Sequence, residues 1–156
     1  MVLSRMVILG AAVQLFIGAT TAKAQAKEWL NDFNTARRVA KEKGRPIVLD
    51  FGTVNCYWCK QLDVTTFRDP AVMKLLSDRF VAVKIDASKD QALAQSLNVS
   101  AFPTIVFANP DGTVLGRHEG YVDAARFQQQ LQKARSNPSG SRDASEGQRC
   151  CNRVVG

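Results

Sequence analysis

The 156-residue sequence predicts an α/β domain with a mixed central sheet flanked by helices. Three observations predict it. Short apolar runs alternate with helical patterns in the order α, β, α, α, β, α, β, β, α. A βαβ start followed by an antiparallel hairpin makes the sheet mixed. Finally, Cys56-Tyr57-Trp58-Cys59 follows the first strand through a short loop and opens a helix, and the other elements are arranged around it.

Glu28–Lys43 reads as the first helix, because Trp29, Phe33, Ala36, Val39 and Ala40 fall mainly on one face. Gly44 is its stop and Pro46 the entry to a strand. Ile47–Phe51 is apolar apart from Asp50 and reads as a buried strand. Gly52-Thr53-Val54-Asn55 is the loop, and Cys56–Thr66 the helix after it. Asp69-Pro70 marks a break and a new helix start, with Val72, Leu75 and Leu76 inward. Phe80–Asp86 reads as the second strand and Asp90–Leu97 as a helical segment. Pro103 stands at the entrance of an apolar run, where a strand tolerates proline. Asn109-Pro110-Asp111-Gly112 is a turn, and Thr113–His118 the returning strand. Asp123 can cap a last helix running to about Lys133.

The two ends differ from the middle. Arg5, the mostly apolar Met6–Ala19 and Ala22-Lys23-Ala24 have the layout of a secretory signal, cleaved before Gln25. Ala24-Gln25-Ala26 is an alternative cleavage site, and an uncleaved anchor an alternative fate. The expected division is a signal peptide over 1–24, a folded domain over 25–135 and a disordered tail over 136–156 rich in Ser, Gly and Arg. A composition 46% hydrophobic and 22% charged supports one domain with a core. The charge of +7 falls to +5 without Arg5 and Lys23, and with no long basic run it reads as a solvated surface rather than a nucleic-acid interface. Export places the chain in the periplasm or outside the cell, an oxidising setting where a dithiol needs an electron donor.

A CxxC serves redox chemistry, a zinc site or a structural disulfide. The only other cysteines are the adjacent Cys150 and Cys151, and the only histidine is His118, so zinc is the weakest of the three. At a helix start, Cys56 would meet the positive end of the helix dipole, which favours the reactive thiolate. Cys59 would lie one turn away. Asp50, in an apolar run, should be desolvated, which raises a carboxyl pKa; the alternative is a solvated acid at a strand end. Asp63 would share a helix face with Cys59, or simply be solvated. Tyr57 and Trp58 would form an apolar rim for partner proteins, or pack on the domain. An extended tail segment of about 14 residues spans about 45 Å, so exchange between Cys150 or Cys151 and Cys56 is feasible; a plain tail with capped or cross-linked cysteines is the alternative.

The sequence resembles the thioredoxin superfamily over about Pro46–Lys133, through VLDF followed by CxxC, KID, FPT, the NPDG turn and a Gly-Tyr before the last helix. Within it, Lys60, Thr66–Val72 and Gly120-Tyr121 are most similar to the periplasmic group typified by the C-terminal domain of the thiol:disulfide interchange protein DsbD. The resemblance implies that Cys56 is the nucleophile, Cys59 the buried resolving thiol, Asp50 the buried acid that moves protons, and Asp63 a second acid. It also implies that Pro103 is a cis-proline whose adjacent backbone holds substrate peptide, with the bulky Phe102 beside it altering substrate fit. Tyr57-Trp58 departs from the Gly-Pro of cytosolic thioredoxins and from the histidine of DsbA-type oxidants. Without a basic group between the cysteines, a protein-disulfide reductase is indicated over a strong oxidant. Its partners would be disulfide-containing proteins and a membrane thiol electron donor, with no bound cofactor and no metal. An oxidase or isomerase and a non-catalytic binding module are the alternatives.

Overall fold

The computed structural model describes residues 29–136. The expected signal segment, the expected cleavage site and Cys150-Cys151 lie outside the described residues. The elements are α1 (Phe33–Lys43), β1 (Ile47–Gly52), α2 (Tyr57–Val64), α3 (Pro70–Arg79), β2 (Val81–Asp86), α4 (Gln91–Ser96), β3 (Thr104–Ala108), β4 (Val114–Glu119) and α5 (Ala124–Ser136), with a 3-10 turn at Thr66–Arg68. The sheet order is β2-β1-β3-β4. β1 and β2 run parallel, and β3 is antiparallel to both β1 and β4. This is the thioredoxin fold.

Local chemistry accounts for the boundaries. The Asp69 carboxylate accepts from the N–H groups of Ala71 and Val72, and Pro70 takes the first helical position, where its missing N–H costs nothing. Gly44 closes α1 with φ +59°, a left-handed conformation that glycine adopts without penalty. Between β3 and β4 the Gly112 N–H donates to Asn109 O, and the Asp111 carboxylate accepts from the Thr113 N–H. The Asp123 carboxylate accepts from the Arg126 N–H at the start of α5.

Two expected boundaries are corrected. α1 starts at Phe33, because Asp32 caps it by accepting from the Thr35 N–H at 2.7 Å. Trp29 is therefore outside the helix. Leu30 instead forms a parallel bridge with Val83: its N–H donates to Ala82 O, and its carbonyl accepts from the Lys84 N–H. At the other end, α5 continues through Ser136, past the expected end near Lys133.

Side chains alternate across the sheet as the period-two geometry of strands requires. Ile47, Leu49 and Phe51 face α1 and α4 together with Val81, Val83, Ile85 and Val106. Val48 faces α2, α3 and α5 together with Leu62, Val72, Ile105 and Phe127. Asp50 and Gly52 share the face of Val48, and so lie on the side that α2 covers.

Candidate active site

β1 ends at Gly52 and hands the chain to a loop that delivers Cys56 as the N-cap of α2. The cap is a sulfur: Cys56 Sγ accepts from the Cys59 N–H at 3.1 Å. Anionic sulfur at this place would be favoured by the same N–H and by the helix dipole. Cys56 and Cys59 are joined by a disulfide, with their Cα atoms 5.3 Å apart. Both cysteines are half-buried. That corrects the expectation of a buried Cys59. The first turn of α2 sits over the last residue of β1, where the sheet runs out.

Gly52 supports Cys59 from below. A Cβ on Gly52 would stand 3.0 Å from Cys59 Sγ, so a side chain here is tight and Cys59 would have to give way slightly. Asp50 lies one pleat further in on the same face. Its side chain is only 6% exposed, and Oδ1 has no hydrogen-bond partner among the described residues. Burial pushes its carboxyl up to about 6; Lys84 opposes this, and Asp63 adds to it.

Lys84 is a residue that the sequence reading did not single out. It is the register partner of Asp50 on β2, and its Nζ lies 3.3 Å from Asp50 Oδ2. The same Nζ pairs with Asp63 Oδ1 on α2. One ammonium thus joins the two candidate acids. The signal was present in Val81–Asp86: with Val81, Val83 and Ile85 facing one way, Lys84 must face the other, where Asp50 is.

The remaining candidates surround the disulfide. Tyr57 is 63% exposed and Trp58 54%. Their rings meet edge to face at 5.2 Å. Tyr121, a second residue not singled out for the site, extends this group: its ring centroid is 5.7 Å from that of Trp58, and its hydroxyl lies 3.2 Å from Thr65 Oγ1. The Phe102–Pro103 peptide bond is cis. Phe51 pairs with Thr104, so Pro103 enters the sheet beside Gly52, at the end that carries Cys59. The Pro103 carbonyl accepts from the Gly120 N–H at 2.8 Å, which ties this corner to the segment bearing Tyr121. Phe102 is exposed at the same corner.

A family model described as a thioredoxin-like domain matches residues 33–135. The chain belongs to the thioredoxin-like family. It is 35% identical over 123 residues to the thiol:disulfide interchange protein DsbD of Citrobacter koseri, an overlap of 73% of this chain and 22% of that protein. To DsbD of Escherichia coli K12 it is 35% identical over 98 residues, 60% of this chain and 17% of that protein. The chain spans about a fifth of the length of the curated relatives it matches. Among solved structures, a thioredoxin from Thermus thermophilus superposes with TM-score 0.65 at 27% identity, over 71% of this chain and 89% of that one. The C-terminal domain of Neisseria meningitidis DsbD in its oxidised form shares the fold with TM-score 0.59 at 24% identity, over 69% of this chain and 99% of that one. The Cys56–Cys59 disulfide lies within this thioredoxin-like domain. No helix among the described residues is long and apolar enough to cross a membrane.

Proposed function

We propose that the domain is a protein-disulfide reductase that works in the periplasm or outside the cell after cleavage of a signal peptide over residues 1–24. The observation that carries the reading is a partly buried disulfide at a helix N-cap with a buried carboxylate on the strand face beneath it. In the reduced protein, the Cys56 thiolate attacks one sulfur of a substrate disulfide. The substrate S–S bond breaks, a Cys56–substrate disulfide forms, and the departing substrate thiolate takes a proton. Cys59 then gives its proton to Asp50 and attacks Cys56 Sγ. The mixed disulfide breaks, the second substrate thiolate leaves and is protonated, and the Cys56–Cys59 bond is restored. Two electrons and two protons pass to the substrate. The two sulfurs carry the electrons, and a membrane thiol donor returns the pair to the dithiol.

A carboxyl that titrates near 6 suits a proton acceptor at neutral pH, where it is mostly ionised yet still basic. Asp63 shares the Lys84 ammonium and so influences the charge that Asp50 meets. Tyr57, Trp58 and Phe102 offer apolar surface to a substrate chain, with the backbone at Pro103 beside it. The absence of a basic side chain between the cysteines supports the reductive direction. The similarity to proteins named thiol:disulfide interchange proteins supports disulfide-containing proteins as partners.

The test joins two measurements. Wild type should reduce insulin disulfides, and Cys56→Ser should lose this activity; full activity in that variant would overturn the reading. Equilibration with glutathione should give a potential near about −270 mV, whereas one near about −120 mV would make the domain an oxidant.

A further inference from the structure

Lys84 is held by more than its two carboxylates. Its Nζ lies 5.2 Å from the ring centroid of Trp29 and 5.3 Å from that of Phe67. The two rings are themselves 4.6 Å apart, tilted by 45°. Neither ring is loosely placed. Leu30, next to Trp29, accepts from the backbone N–H of Lys84 itself. Phe67 is buried in the turn after α2 and packs against Phe127 of α5 at 5.5 Å. The charged groups in this network are Asp50 on β1, Lys84 on β2 and Asp63 on α2; β3 places Ile105 opposite Asp50, and the Trp29 segment and the 3-10 turn contribute rings.

We propose that Trp29 and Phe67 are positioning residues, an aromatic clamp that keeps the Lys84 ammonium on Asp50 and so sets how readily Asp50 accepts the Cys59 proton. A lysine stem is long and flexible, and its ammonium is strongly hydrated. Lys84 is 37% exposed, so solvent competes for it. Asp63, 43% exposed, could accompany it outward as an ion pair. The ring faces attract the cation and occupy the space through which the stem would swing. Without the clamp, the ammonium would spend less time on Asp50. With less positive charge beside it, Asp50 would hold its proton to higher pH. Trp29 thereby acts from outside the segment that the family model matches, residues 33–135.

The inference rests on Asp50 as the proton acceptor, and its test needs neither substrate nor turnover. The carboxyl carbon resonance of Asp50 is followed against pH in the oxidised full-length chain, for wild type, Trp29→Leu and Trp29→Phe. Trp29→Leu keeps apolar bulk and removes the π face; its midpoint should rise by about half a pH unit or more. Trp29→Phe should stay closer to wild type. In a Lys84→Met background, Trp29→Leu should cause no further rise. Phe67→Leu, read in the same way, replaces Trp29→Leu should that variant not fold. A midpoint unchanged or lowered in Trp29→Leu, even with a lower melting temperature, would reduce Trp29 to a packing residue and overturn the proposal. An equal rise in Trp29→Phe, or the same rise without Lys84, would also overturn it.

Discussion

The two faces of one strand behave differently. On the α1/α4 face, β1 presents Ile47, Leu49 and Phe51, each at most 1% exposed and surrounded by aliphatic neighbours. On the α2 face it presents Val48, then Asp50, then Gly52. The second series moves from packing to charge to an absent side chain within two pleats, approaching the disulfide at each step. Alternation thus lets one strand serve stability with half its residues and chemistry with the other half. The charge is tolerated because Lys84 partners it, while Asp63 and the rings of Trp29 and Phe67 surround the ammonium.

Substitutions on the two faces should separate these duties. Leu49→Ala should show the largest effect on folding, a loss of about 2–5 kcal/mol from lost burial and the cavity left behind. The folded fraction should retain its rate of disulfide reduction, measured per active molecule. A comparable loss of intrinsic activity would mean that the apolar face also shapes the site.

Asp50→Asn should act in the opposite direction on stability. The folded carboxyl titrates near 6, above its ordinary 3.8, so folding favours the protonated form. The stability that Asp50 contributes is fully present below about pH 4 and is lost as pH rises through about 6. Asparagine cannot ionise, so at pH 8 the variant should be more stable than wild type by on the order of 2 kcal/mol, and the gap should close toward pH 4. Denaturant unfolding at the two pH values checks this. Insulin reduction by the same variant at pH 7 should slow by about 100-fold, as for loss of a general base.

Gly52→Ala should have a smaller effect, about 1 kcal/mol on stability, because the new methyl meets Cys59 Sγ at 3.0 Å and the helix must give way. Stopped-flow kinetics should place its functional cost in the resolving step rather than in the first attack. The smallest effect belongs to Tyr121→Ala, which removes one exposed ring from the group with Trp58. Its KM for a protein substrate should rise by about threefold, with kcat little changed, for about 0.6 kcal/mol of lost apolar contact.

The sequence revealed the frame better than the network. The apolar strands, the Asp69-Pro70 restart, the Gly44 stop and the CxxC after a loop all report on local preferences, and they are legible because neighbours in sequence determine them. The start of α1 is not legible locally because the periodicity of Trp29 with Phe33 and Ala36 imitates a helix, while Asp32 supplies a stronger cap. Lys84 and Tyr121 do not stand out as site residues in the sequence because their roles depend on pairing across the sheet and on packing against α2. Lys84 meets Asp50 through strand register, across 34 residues of sequence. The partial burial of Cys59 depends on where the sheet ends beneath α2, which no local pattern states.

The order of attack is the centre of the account, and trapping tests it most directly. The reduced full-length chain carrying Cys59→Ala is mixed with a disulfide-bonded protein, and any adduct is mapped by peptide mass, which also separates Cys56 from Cys150 and Cys151. The account predicts a DTT-sensitive adduct on Cys56 that accumulates in Cys59→Ala and is absent from Cys56→Ala. An adduct on Cys59 in Cys56→Ala but none on Cys56, or no adduct on Cys56 under conditions where wild type turns over, would contradict it.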